Sequence, residues 1–554
     1  MEGGEWAWQW RTKEMVWSVA AIVVSLMVLI IWEKLWLKPR RIRSILEKQG
    51  ITGPKPSFPM GNLSEIEHIQ SQFSSATFMY TTGHRQHLQV GDPKLLKELN
   101  RLKTWDLGKP TQLTKHLKPL LGSGIITGNG RYWSFQRNLI APQFYLSKIQ
   151  NMVDFMEEST KTMIKKWERI IEENGGEMAE IVIDNDMKEL TGDIISKVCF
   201  GGSYDIGNQI FSKLTALQNA LAKPTVVIGL LFPRILPTKE NKEVWRLEKE
   251  IKELILKVVH NHKLHNQSSK DQNQKDLLQI ILESTADDEE KNNNRRGAWG
   301  ILKKFKHKRD SQKLIMDICK NIYFAGSDTT AVLLTWTLVQ LSLHPQWQHR
   351  LRAEILETFP NILPHCFRDM DKLRKMKQQL EDECHVGCHL ACHPLFLGLI
   401  SGGASLPLDD QCHLSMVIQE TLRLYGPGIR VSREAFEEVK VGDMVVPKGT
   451  YVSVFISAIH REKEMWGEDA DEFKPERFER GVSEACKYPQ AYLPFGLGNR
   501  ICVGQKFSIT EAKIALTLLL SNFSFSLSPN YRHSPFYNLV LSPKYGAPLL
   551  VTKL

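Results

Sequence analysis

The sequence predicts a mainly α fold with a small β part, preceded by one N-terminal transmembrane helix. Three observations predict it. Residues 15–32 run without a charged side chain. Beyond them, apolar residues recur at helical spacing over long stretches, including 146–167, 189–200, 245–260 and 314–343. Strand-like runs are short and few, near 87–90, over 439–456 and at the C-terminus. Of 554 residues, 42% are hydrophobic and 24% charged, which excludes a disordered or collagen-like chain. The net charge of +10 suits an anionic membrane or an acidic protein partner. No aromatic-interleaved basic patch accompanies it, so no nucleic acid is expected. Nine cysteines, an odd number at low density, fit a chain facing a reducing compartment.

The elements follow in order. At about 1.5 Å per residue the uncharged run nearly spans a bilayer core of roughly 30 Å. Trp17, Trp32 and Trp36 stand at its margins. Lys34, Lys38, Arg40, Arg41 and Arg43 follow it, against Arg11 and Lys13 before it. Residues 1–45 therefore read as a signal anchor and basic flank, with the remainder cytosolic. No small-residue cleavage site follows that would mark a removed signal peptide. Residues 50–62, with three prolines and three glycines, read as a stiff elbow. The polar stretches 263–275 and 286–312 read as surface linkers around a short helix at 276–284.

The chemistry concentrates in FGLGNRICVG, residues 495–504. Gly496, Gly498 and Gly504 permit turns and close backbone approach to a flat cofactor. Arg500 stands two residues before Cys502 and is suited to pairing with a carboxylate. An apolar helix over 509–520 places the sulfur near a helix N-terminus, where the dipole favours an anion. A lone cysteine in such a loop is more often structural. Here Phe495, Gly498, Arg500, Cys502 and Gly504 fall together at the spacing F-x-x-G-x-R-x-C-x-G. That spacing resembles the heme-binding loop of the cytochrome P-450 monooxygenases.

The resemblance extends over nearly the whole chain. It implies the cytochrome P-450 fold for residues 46–554 as a single domain, and heme b with Cys502 as its thiolate ligand. AGSDTT at 325–330, inside the long apolar helix, is similar to the family's oxygen-activating motif. A threonine hydroxyl there can divert the carbonyl one turn back and open the helix. The implied roles are a hydrogen bond from Thr329 to dioxygen and a proton relay through Asp328. Glu420 and Arg423 in ETLR, with Arg477 in PERF, resemble the family's buried Glu-Arg-Arg network. Trp133 and Arg137 in WSFQR, with Arg433 and Arg500, resemble its propionate-binding set, although the first two also fit a cation–π surface pair. His460 matches a structural position. Phe324, Ala325, Gly428, Ile429 and Val431 are implied to shape the substrate pocket. Arg430 is either a partner for a substrate carboxylate or a surface or propionate-side arginine.

No flavin or nicotinamide fingerprint is present, so electrons must come from a separate NADPH-cytochrome P-450 reductase. Residues 50–62, 120–144, 236–251 and 317–326 resemble one branch of plant microsomal members, the branch containing gibberellin-oxidising enzymes. The implied activity is insertion of one oxygen atom from O2, as hydroxylation or epoxidation, into a hydrophobic isoprenoid at the endoplasmic reticulum membrane. A gibberellin-type diterpenoid is the first expectation; triterpenoids are the alternative. One segment departs from the pattern. Residues 379–413 exceed what it needs and carry Cys384-His385, Cys388-His389, Cys392-His393 and Cys412-His413. A zinc site and an unstructured insertion that disables heme binding, leaving a binding or decoy role, are its two readings.

Overall fold

The computed structural model describes residues 3–57, 61–62, 77–102, 105–200, 204–222, 237–268, 277–290, 308–358 and 412–554. Its contacts divide the chain into two units, residues 1–110 with 430–458, and residues 111–429 with 459–554.

The first unit begins with the helix Gly3–Trp32. Val19, Ile22, Val24 and Leu29 are all exposed on it. Among the described residues no helix is long and apolar enough to cross a membrane. The side chains of residues 1–14, Val16 and Ile31 lie outside that set. The helix Lys38–Glu47 buries Pro39, Ile42 and Leu46. Beside them Arg43 donates to the carbonyls of Gly53 and Pro54, both at 2.9 Å, which ties down the start of the elbow. The expected strand at 87–90 is β2 (Arg85–Gln89), antiparallel to β1 (Phe78–Thr82). With β3 (Leu107–Gly108), β5 (Arg430–Ala435) and β8 (Tyr451–Phe455) they form a sheet ordered β1-β2-β8-β5-β3. β6 (Val439–Val441) and β7 (Met444–Val446) form a hairpin. The strand-like runs expected over 439–456 are β6, β7 and β8.

The second unit is helical. At its centre lies the helix Lys308–Leu343, six residues longer at its start than the apolar pattern suggests. It packs along Ile183–Phe200 and against His413–Tyr425 and Gln505–Asn522. Gly326 makes the first packing possible, because a Cβ there would stand 2.4 Å from Ile195. Two further strands close against the C-terminal one, in the order β4 (Met178–Val182), β12 (Pro548–Lys553), β9 (Phe523–Leu527). A β10–β11 hairpin (Pro535–Asn538, Val540–Pro543) completes the unit.

Two expectations change. Residues 263–268 continue the helix Lys239–Ser268, and 286–290 continue Leu277–Glu290, so neither is linker. Lys, Gln and Glu propagate a helix well, and polarity alone does not end one. The structure also gives the last two residues of the 379–413 segment to the Glu420 helix. Cys412 is buried as its N-cap, its sulfur accepting from the Ser415 amide at 3.4 Å, and His413 opens the first turn. Cys384, Cys388, Cys392 and their histidines lie outside the described residues. Among those described, no group of three or more His, Cys, Asp or Glu is placed to hold a metal.

Candidate heme-thiolate site

The cysteine loop is shaped by two glycines in the left-handed region, Gly496 at φ +84° and Gly498 at φ +65°. Gly504 is different: its φ is ordinary, and a Cβ there would make normal contact with the Cys502 sulfur at 3.9 Å. The Cys502 amide donates to the Phe495 carbonyl at 3.0 Å, closing the loop into a hairpin-like turn. Gly504 then caps the helix Gln505–Asn522, so the sulfur stands at a helix N-terminus. The Cys502 side chain is open to solvent, yet enough protein surrounds it that burial pushes the thiol up. The Gly504 amide and the Arg137 guanidinium act the other way and favour the thiolate.

Three segments converge beside this loop. Trp133 is buried on the helix Gly130–Ile140, with the Arg500 guanidinium 4.3 Å and that of Arg137 5.7 Å from its ring centre. Arg137 donates to the Ile501 carbonyl at 2.9 Å. Arg500 donates to the Gly128 carbonyl at 2.9 Å and to Asn129 Oδ1 at 2.8 Å. The cation–π and propionate readings of Trp133 and Arg137 therefore do not compete, since stacking orients the same guanidiniums. The loop before this helix is itself held on the long helix. Asn321 donates to Leu121 O at 2.7 Å and accepts from Ile126 N at 2.9 Å, and Lys320 donates to Pro119 O at 2.9 Å. A Cβ at Gly124 would lie 1.9 Å from Asn321 Nδ2, which explains the glycine.

Beneath the loop, Glu420 and Arg423 have fully buried side chains. Arg423 Nε and Nη2 grip the two carboxylate oxygens at 2.7 and 2.8 Å. Its remaining donors reach the carbonyls of His460, Ala470 and Glu472 at 2.5, 2.6 and 3.0 Å. Arg477 stands 3.4 Å from Glu420 and ion-pairs with Asp469 at 2.7 Å. His460 is buried and neutral, its pKa pushed down to about 3 by burial. One ring nitrogen contacts the Arg423 carbonyl at 2.9 Å, and the other accepts from the Leu493 amide at 2.9 Å. That amide lies two residues before Phe495, so the network reaches the cysteine loop directly.

On the long helix, residues 314–323 and 330–342 are buried, but Phe324, Ala325, Gly326, Asp328 and Thr329 are only half-buried. They mark where the helix faces open space. The helix stays continuous there, and the Thr329 hydroxyl donates to the Ala325 carbonyl at 2.6 Å. Thr191, from the neighbouring helix, donates to the Ser327 carbonyl at 3.0 Å. Burial raises the Asp328 pKa, and Lys188 partly offsets it. Gly428 and Ile429, half-buried, follow the Glu420 helix.

Val431, Arg430 and Arg433 belong to the other unit, on β5. Val431 is half-buried. Arg430 is exposed and stacks on Phe455, its guanidinium 5.7 Å from the ring centre. Arg433 is buried and lacks an ion-pair partner among the described residues, and desolvation pulls its pKa down to about 10. A buried unpaired guanidinium is costly unless an anion meets it. Within the helical unit, a cysteine under a helix dipole and the guanidiniums of Arg137 and Arg500 fit a thiolate-ligated heme with propionates. Sequence reasoning missed Thr191, Lys320 and Asn321, because nothing in a single chain marks which distant helix supplies a hydroxyl or an amide.

Known proteins agree with this geometry. Residues 52–381 and 409–551 match the cytochrome P450 family. The unmatched stretch, 382–408, falls inside the segment set apart above. Cytochrome P450 714C2 of Oryza sativa subsp. japonica is 38% identical over 552 residues, covering 94% of this chain and 94% of that one. Cytochrome P450 714A2 of Arabidopsis thaliana is 36% identical, covering 98% and 99%. The crystal structure of the cytochrome P450DA heme domain aligns with a TM-score of 0.65 at 21% identity, over 91% of this chain and 97% of that one, and shows the same fold. The chain belongs to the cytochrome P450 family and is a monooxygenase of that family, whose members use a thiolate-ligated heme, dioxygen and a redox partner.

Proposed function

We propose that this chain binds heme b through Cys502 and oxidises a hydrophobic isoprenoid, most specifically a gibberellin-type diterpenoid acid, with electrons from NADPH-cytochrome P-450 reductase. The observation that carries the reading is Cys502 at the N-terminus of Gln505–Asn522, in a loop closed by its amide bond to the Phe495 carbonyl, with the Gly504 amide and Arg137 acting on its sulfur. Bound heme supplies reductive activation of O2 and delivery of one oxygen atom. Cys502 holds the cofactor; Trp133, Arg137, Arg433 and Arg500 hold its propionates; Phe495, Gly498 and Gly504 shape its bed. Phe324, Ala325, Gly428, Ile429 and Val431 border the substrate, and apolar walls exclude water. Residues 1–45 anchor the chain in the endoplasmic reticulum membrane, supported by the exposed apolar side chains of Gly3–Trp32, and 46–554 is one catalytic domain.

Thr329 and Asp328 hold and deliver protons. Asp328 keeps its proton to higher pH than an ordinary aspartate because burial disfavours its charge. As a donor it works below that raised pKa and fails as pH rises through it. Product formed per NADPH consumed should therefore fall with rising pH in the native chain. Asp328→Asn should flatten that profile, and Thr329→Ala should lower product formation by about 100-fold while NADPH oxidation continues. An Asp328→Asn profile identical to the native one would remove Asp328 from the relay.

Turnover of gibberellin-type acids by the reductase-supplemented chain, followed by mass spectrometry, tests the substrate. A product heavier by one oxygen, labelled from 18O2, is expected. Turnover of triterpenoids alone would replace the substrate class. A second reading, an inactive chain, is favoured by one observation: the unmatched 382–408 stretch ends close before the Glu420 helix.

A further inference from the structure

Glu511 takes no part in the site as built above. It lies on Gln505–Asn522 with 0% exposure, and neither carboxyl oxygen has a hydrogen-bond partner among the described residues. Its helix neighbours inside the core are Phe507, Ala512, Ala515 and Leu516, so packing alone would place an apolar side chain there. The polar group that acts on the carboxyl is the hydroxyl of Thr330, on the long helix. Thr330 is buried and donates to Ser508 Oγ at 3.0 Å. Ser508 precedes Glu511 by three residues and so shares its helix face. Thr330 is next in sequence to Thr329, and Ser508 begins one turn beyond Gly504, its amide donating to the Gly504 carbonyl at 2.8 Å.

We propose that Glu511 is a positioning residue that, through Thr330 and Ser508, fixes the helix bearing Thr329 against the helix that follows Cys502. Burial holds its carboxyl well above the usual carboxylate range, which favours the protonated form. In the proposed row Glu511 donates to Thr330 Oγ1, whose own hydrogen goes to Ser508 Oγ. The three groups then form a one-directional row of hydrogen bonds between the two helices. Because interiors are close-packed, a row of this kind fixes register as well as separation. The inference rests on the role of Thr329 given above, and its test reads backbone order separately from catalysis.

The test uses the full heme-loaded chain and its Glu511→Leu, Glu511→Gln and Thr330→Val variants. Amide hydrogen exchange over 325–331 is measured beside product formed per NADPH. Glu511→Leu, which removes the donor and keeps the volume, should speed exchange there about tenfold and lower the product yield. Glu511→Gln, whose amide can still donate, should restore slow exchange. Thr330→Val should match Glu511→Leu, and the double variant should be no worse than either, because both cut one row. Native exchange rates in Thr330→Val would overturn the proposal, as would Glu511→Gln exchanging as fast as Glu511→Leu. Should Glu511→Leu fail to fold, the other two variants decide the matter by the same criteria.

Discussion

Glu420→Ala is expected to yield no heme-loaded protein. Removing the carboxylate leaves Arg423 as a buried cation whose Nε loses its acceptor and whose Nη2 keeps only the Glu472 carbonyl. Breaking a buried pair in this way costs about 3–5 kcal/mol, against a total stability of roughly 5–15 kcal/mol. The damage is also placed where it matters. Arg423 organises the carbonyls of His460, Ala470 and Glu472, and His460 receives the Leu493 amide just before the cysteine loop. Arg423→Lys should fail in the same way, since one ammonium cannot replace a planar fork gripping two oxygens and three carbonyls. Expression in microsomes, with heme content and thermal unfolding as readouts, checks both. A Glu420→Ala chain that retains heme and native stability would show the network to be dispensable.

Cys502→Ser is expected to abolish product formation outright. Serine keeps the shape of the loop, including the amide bond to the Phe495 carbonyl, which is a backbone contact. It removes the soft sulfur proposed as the heme ligand, whose thiolate form the Gly504 amide and Arg137 favour. The folded fraction should therefore match the native chain while turnover falls below detection. Residual monooxygenase activity in Cys502→Ser, measured with 18O2 incorporation, would transfer the ligand role to another residue.

The geometry of the cysteine loop was legible in the sequence because it is local. Phe495, Gly498, Arg500 and Cys502 lie within eight residues, so their spacing carries the turn and the Cys502 amide bond to Phe495. Glu420 and Arg423 are one helical turn apart, and Arg477 is marked by its own short motif. Groups that act through long-range contact were not legible. Thr191, Asn321 and Glu511 look in sequence like ordinary helix residues, and only packing brings them to the Ser327 carbonyl, the 121–126 loop and Thr330. The two misread linkers have a different cause. Polar composition excludes a buried segment but does not exclude an exposed helix, so 263–268 and 286–290 were open to either state. At 379–413 the excess length was visible, but its last two residues were misassigned because a cysteine cap carries no sequence signal as strong as serine or aspartate.

The most direct test is the carbon-monoxide difference spectrum of the reduced full-length chain in microsomes. Thiolate ligation through Cys502 predicts a red-shifted Soret band of the thiolate type, in a chain that still carries residues 379–413. A band at the position of imidazole-ligated heme, or no band, would contradict it and place the fault in that segment.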